Sequence, residues 1–237
     1  VNDGLGSNIT VGSRENVLYR ITPRENNDVN GVWLPDSHRL NFKYLTAPTR
    51  LKTPLVKQQA AGWNEAIAAA ADMLKATPAG STAILASARM TNEELFLVGR
   101  LASQLGVAQE NLEILPRIGE PDHILIPADR NPNTTGAKLL GITGSEPGSR
   151  LSNIAQGVRS GAIKVLLAFE DVTKCGLSAA ELAGVTVIVV DILSNPTTEQ
   201  AAVTLPSSAW VEKRGSMINI KGRLQRLNRA VQAPGLA

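Results

Sequence analysis

The stretch Asp191-Ile192-Leu193-Ser194-Asn195-Pro196-Thr197-Thr198-Glu199 follows directly on Val185 to Val190, a β-branched apolar run broken only by Thr186. A short continuous apolar run has the character of a central parallel strand. The loop from the carboxyl end of such a strand into a helix is where α/β folds bind anions, because exposed backbone N–H groups and the positive end of the helix dipole converge there. Asn195, Thr197, Thr198 and Glu199 are therefore candidate ligand contacts. Asn195 as N-cap and Pro196 at the first helical position equally serve to start a helix, so capping and binding both account for this segment. Glu170, Asp171 and Asp191 stand at expected strand ends, where carboxylates act as acids and bases or simply as loop and capping residues.

Other catalytic signatures are missing. The sequence has no phosphate loop ending in Gly-Lys-Ser, no Gly-x-Ser-x-Gly elbow and no His-x-x-x-His pair. His38 and His123 are far apart and read as structural histidines, and Gly4-Leu5-Gly6 lacks both a preceding strand and the third glycine of a dinucleotide fingerprint. The single cysteine, Cys175, excludes an internal disulfide and any multi-cysteine centre built from this chain alone; it reads as a core thiol. No catalytic residue and no metal ligand is assigned.

These residues need a scaffold. With 237 residues, 43% of them hydrophobic, the chain can bury a sizeable core. No run approaches the roughly 18 apolar residues of a membrane span, so any membrane association goes through partners. No basic segment followed by an apolar run opens the sequence, and Val1 in place of methionine reads as a fragment start. The net charge of +3 is concentrated near the end, where Lys213, Arg214, Lys221, Arg223, Arg226 and Arg229 face only Glu212. That stretch suits an anionic ligand or an acidic partner; it lacks the interleaved aromatics of a nucleic-acid binder, so no nucleic-acid partner is expected.

Ser7 to Val11 and Val17 to Ile21 flank a turn and predict a hairpin, followed by a proline-rich extended arm pinned by Trp33, Phe42, Tyr44 and Leu45. Trp63, Ile67, Ala70 and Leu74 recur at helical spacing. Thr82 to Ser87 predicts a buried strand, and Thr91-Asn92-Glu93-Glu94 a capping box for a helix that Gly106 ends. Proline and glycine fill the stretch from Pro116 to Gly148, apart from an expected strand at Asp122 to Ile126. A helix from Leu151 to Ser160, strands at Ile163 to Phe169 and Val185 to Val190, a capped helix at Ser178, a helix at Asn195 and a strand at Val203 to Leu205 follow. The expected fold is α/β: two Rossmann-like lobes with parallel sheets flanked by helices, at 61–118 and 151–237, preceded by a hairpin and arm at 1–60 and joined by an irregular connection at 119–150.

Leu205, Pro206, Glu212, Lys213, Gly215, Asn219, Gly222, Arg223 and Gln225 meet a pattern, "LP…EK.G…N..GR.Q", that resembles the molybdopterin oxidoreductases. Gly6-Ser7-Asn8-Ile9, Ile21-Thr22-Pro23-Arg24-Glu25-Asn26, Asp28-Val29-Asn30 and Trp33-Leu34 resemble the segment opening this domain in the large iron–sulfur subunit of NADH-quinone oxidoreductase. Gly62-Trp63-Asn64-Glu65-Ala66 and Asn92-Glu93-Glu94 resemble its next helices, and Asp129-Arg130-Asn131-Pro132-Asn133 with Gly136-Ala137 a segment that relatives carry much later. The resemblance spans most of the sequence, with a large middle portion absent.

The resemblance implies a cofactor cradle, with Asn195, Thr197, Thr198, Glu199, Gly215, Asn219, Gly222 and Arg223 as its vestigial candidates. It also implies losses. Where cluster-bearing relatives have Cys-x-x-Gly-Cys, this chain reads Asp3-Gly4-Leu5-Gly6-Ser7, and the portion carrying the molybdenum ligand is missing between Arg117 and Gly119. The expectation is a non-catalytic, truncated molybdopterin-oxidoreductase-like domain with a structural and subunit-interaction role in a respiratory electron-transfer complex. Molybdopterin would be absent, and iron–sulfur clusters would sit only upstream in a parent protein. Expected partners are the NADH-binding and quinone-module subunits, in the cytoplasm at the inner membrane's face. The alternative is a residual pterin-dinucleotide or nucleotide-binding module of a formate-dehydrogenase-like oxidoreductase.

Overall fold

The structure, a computed structural model, describes residues 3–122 and 124–237. His123 and the side chain of Cys175 fall outside that description. The chain runs through β1 (Ile9–Arg14), β2 (Val17–Pro23), α1 (Asp36–Arg39), β3 (Leu55–Val56), β4 (Gln59–Ala60), α2 (Trp63–Lys75), β5 (Thr82–Ala86), α3 (Asn92–Gln104) and β6 (Leu112–Ile114). It continues through α4 (Thr134–Leu139), α5 (Leu151–Ser160), β7 (Val165–Ala168), α6 (Ala179–Leu182), β8 (Thr186–Asp191), α7 (Pro196–Gln200), β9 (Val203–Pro206), β10 (Gly215–Ile218) and β11 (Leu224–Leu227).

The α/β class holds, but the strands expected in two sheets form one. Seven strands lie in the order β4-β3-β9-β8-β7-β5-β6, and β5 pairs in parallel with β7 across the expected lobe boundary. Two separate sheets would each expose an unpaired edge there; pairing removes both. The five strands from β9 to β6 are parallel, while β3 and β4 add an antiparallel ribbon at one edge.

Alternation along the strands builds the layers. Ile84 and Ala86 face one side with Ala66 and Ala70 of α2 and Leu95, Val98 and Ala102 of α3. Ala83 and Leu85 face the other with Ile154, Ala155 and Val158 of α5 and Leu182 of α6. The buried stripe of α2 runs through Ala66 and Ala70, whereas Ile67 is 53% exposed, so the sheet approaches the alanine side of this helix instead of its isoleucine.

The hairpin forms with Glu15 and Asn16 both at positive φ, the turn whose twist matches paired strands. Phe42, Tyr44 and Leu45 pack with Ile21, Trp210, Val211 and Val231 in a third core. Trp33 is instead 66% exposed. The expected strand at Asp122 to Ile126 is not one among its described residues: the Asp122 carboxylate accepts N–H bonds from Ile124, Leu125 and Ile126 at 2.9, 2.8 and 2.7 Å and folds them into a turn. The β10–β11 hairpin falls in the basic tail, where charged residues interrupt the apolar alternation that would signal a strand.

Candidate functional site

In the sheet order, β5 has β6 on one side and β7 on the other, so the chain leaves it in opposite directions. The carboxyl ends of strands at such a switch point open a crevice, the usual ligand position in open α/β sheets. Here it is a cleft of about 480 Å³. Ser87 and Arg89 reach it from β5, Arg117 from β6, Glu170 and Asp171 from β7, and Asp191 from β8.

The floor is acidic. Burial, reinforced by the neighbouring Glu170 charge, raises the Asp191 carboxyl to about 6, against hydrogen bonds from the Ile192 N–H and the Asn195 side chain. Glu170 is bound by the Arg117 guanidinium, with the Arg117 Nε at 3.1 Å, and its other oxygen, Oε1, is buried without a hydrogen-bond partner among the described residues. Burial also disfavours charge on Asp171, but hydrogen bonds from Thr173 and Thr197, with the nearby Lys174, hold it below its ordinary value. Around this floor stand Arg89, Arg117, Arg130, Lys174 and Lys213. Of these, Lys213 is held by Glu94 at 2.7 Å, and Arg89 forms no ion pair among the described residues. A cationic rim over one carboxyl raised toward neutrality, Asp191, can hold an anion and exchange a proton with it.

Of the residues singled out from the sequence as a cofactor cradle, only Asn195 lines this cleft. Its side chain accepts from the Thr197 and Thr198 N–H groups at 3.0 and 3.1 Å and donates to Asp191 Oδ2 and the Leu193 carbonyl at 2.7 and 3.0 Å. Thr197 and Thr198 are buried behind it: Thr197 donates to Asp171 Oδ1 at 2.9 Å, and Thr198 to the Asn195 carbonyl at 2.7 Å. Glu199 is exposed.

Gly215, Asn219, Gly222 and Arg223 lie elsewhere, on the β10–β11 hairpin and its turn. A Cβ on Gly215 would meet Thr91 Cγ2 at 2.6 Å, so glycine lets β10 press against the start of α3. Asn219 accepts from the Lys221 and Arg223 N–H groups at 3.1 and 2.9 Å and donates to the Leu5 carbonyl at 3.0 Å. Gly222 has φ 78°, the left-handed position that turn needs. Arg223 pairs with Asp28 at 2.7 Å. Gln225 donates to the Gly6 carbonyl at 2.7 Å, and the Ile220 N–H to the Gly4 carbonyl at 2.8 Å. The two sequence patches that carry the family resemblance thus touch each other, and the tail motif clasps the opening loop. Arg89 and Arg117, which no motif points to, carry one usable signal: each lies just beyond a short apolar strand.

A sheet with its cleft at such a switch point defines a doubly wound α/β domain. Residues 110–237 match the molybdopterin oxidoreductase family, and the chain belongs to it. Residues 1–43 match the NADH-ubiquinone oxidoreductase NDSU1/NuoG-like, 4Fe-4S domain. Similar proteins include an NADH-quinone oxidoreductase subunit from Rickettsia felis, 33% identical over 110 residues, covering 45% of this chain and 16% of that one. The mitochondrial NADH-ubiquinone oxidoreductase 78 kDa subunit of Candida albicans is 36% identical over 110 residues, covering 44% and 15%. NADH-quinone oxidoreductase subunit 3 of Thermus thermophilus is 31% identical over 128 residues, covering 52% and 16%. Each match therefore spans about a sixth of the relative's length. No helix among the described residues is long and apolar enough to cross a membrane.

Proposed function

We propose that this chain is a cofactor-free molybdopterin-oxidoreductase-type domain with a structural and subunit-interaction role in a complex of the NADH-quinone oxidoreductase type. Its partners would be the NADH-binding and quinone-module subunits, at the cytoplasmic face of the inner membrane. The observation that carries the reading is the use of the opening loop. The 4Fe-4S-type segment holds no cysteine. The Asp3 carboxylate is buried 3.2 Å from His38 Nε2 and accepts from the Leu5 N–H at 2.9 Å. Iron–sulfur clusters are held chiefly by thiolates, so this donor set does not fit one. A pterin dinucleotide fits no better: Asn195, Thr197 and Thr198 spend their side chains on one another and on Asp171 and Asp191, and Arg223 lines a different cleft. Clusters, where the parent protein has them, would belong upstream.

Purification of the protein from its own cells, with native mass spectrometry and metal analysis, tests this. NADH-quinone oxidoreductase subunits should accompany it, without molybdenum, tungsten or pterin in proportion to the chain. Stoichiometric pterin or metal, or a solitary monomer, would overturn it.

The second reading, a residual pterin-dinucleotide or nucleotide-binding module, draws on Arg89, which has no ion pair among the described residues, and on the cationic rim at the switch point. Calorimetric titration with a nucleotide decides it, since no heat of binding ends that reading.

A further inference from the structure

A second cleft, of about 630 Å³, opens between the N-terminal β1–β2 hairpin and the C-terminal β10–β11 hairpin. Four arginines line it, Arg24, Arg223, Arg226 and Arg229, with no carboxylate among the lining residues. Asp28 neutralises Arg223, whereas Arg24, Arg226 and Arg229 form no ion pair among the described residues. Like charges gathered without compensation repel one another, and an anionic occupant relieves that repulsion. Between them the walls are apolar, from Ile9 and Val11 of β1, Met217 of β10 and Leu227 of β11.

The backbone adds a direction. Every residue from Arg223 to Ala230 lines the cleft. Side chains of a strand alternate between faces, so an unbroken run of lining residues means that β11 turns its edge to the cleft. Among the described residues that edge is unpaired, because β11 pairs as a strand with β10 alone, and β1 on the opposite wall with β2 alone. Ser7 also lines the cleft, and its Oγ is buried without a hydrogen-bond partner among the described residues.

We propose that this cleft docks an extended, acidic segment of a neighbouring protein subunit, which adds as a strand along β11 with carboxylates to the arginines and aliphatic side chains to the walls. The proposal rests on the subunit-interaction role above and gives it a surface. A single-stranded nucleic acid would need an exposed aromatic platform, and Trp210, the aromatic residue on this cleft, is only 7% exposed.

A short fluorescent peptide alternating glutamate and valine, titrated into the full chain at low salt, tests this against a lysine–valine peptide and an oligothymidylate. The acidic peptide should bind, more weakly as salt rises, and should lose about tenfold or more in affinity on Arg24→Glu/Arg226→Glu/Arg229→Glu substitution. Should that variant fail to melt cooperatively, Arg226→Gln alone should still weaken binding severalfold. No binding of the acidic peptide, equal binding of the lysine peptide, tighter binding of the oligothymidylate, or indifference to the substitutions would overturn the proposal. Subunits that still co-purify with the charge-reversed chain would remove this cleft from the interaction while leaving the interaction role standing.

Discussion

Arg50 Nη2 meets Glu212 Oε2 at 2.5 Å, and the two side chains are 1% and 3% exposed. The same glutamate oxygen accepts the Ala209 N–H at 2.6 Å, and Arg50 also donates to the Ser207 carbonyl at 3.2 Å. One carboxylate therefore ties the extended arm to the C-terminal segment and closes the turn that carries Trp210. Removing either partner strands a buried charge, which costs about 3–5 kcal/mol. Arg50→Met and Glu212→Gln should each destabilise the chain by that order in urea unfolding. Arg50→Met with Glu212→Gln should recover part of the loss, because glutamine can still accept from Ala209. Strictly additive single losses in the double variant would contradict a coupled pair.

Asp191 should leave a mark on the pH dependence of stability. Folding raises its carboxyl from 3.8 to about 6, so the folded state holds this proton more tightly than the unfolded chain. Its contribution is fully present below about pH 4 and is lost as pH rises through about 6. Asp191→Asn removes that dependence. The stability of the variant relative to the parent should therefore rise by up to about 3 kcal/mol between pH 4 and pH 7, on top of a constant loss from the Asn195 contact. Denaturant unfolding across that range checks this, and parallel curves for the two proteins would refute it.

Asn195 separates capping from ligand binding. Asn195→Ala deprives the Thr197 and Thr198 N–H groups of their acceptor and should cost about 1 kcal/mol, while Asn195→Ser should restore most of it. Thermal unfolding measures both. Equal melting of all three proteins would mean that the cap contributes nothing and that asparagine is there for another purpose.

Legibility in the sequence follows the distance over which each interaction acts. The Thr91–Glu94 and Ser178–Glu181 boxes and the Asn195 cap close within one helical turn, so residue type and spacing reveal them. The β5–β7 pairing joins segments on either side of a long irregular stretch, and no local pattern says whether two apolar strands share a sheet. Arg50 and Glu212 are likewise invisible, since a buried ion pair between distant segments leaves no periodicity. The tail motif is plain to see as a motif. What spacing does not tell is that Asn219 and Gln225 turn toward Leu5 and Gly6 rather than into the Asp191 cleft.

That clasp has a consequence for how the molecule comes into being. Gly4 is bonded to Ile220, Gly6 to Gln225 and Asn16 to Gln232. The opening loop leaves the ribosome ahead of the tail, so while His38 and Asp129 can take up Asp3 and Gly4 earlier, the bonds to Ile220 and Gln225 must wait until the tail has been synthesised. The central sheet, complete once Val203–Pro206 is made, can assemble during translation, whereas the clasp is a later step that a chain stalled before Ile220 never reaches.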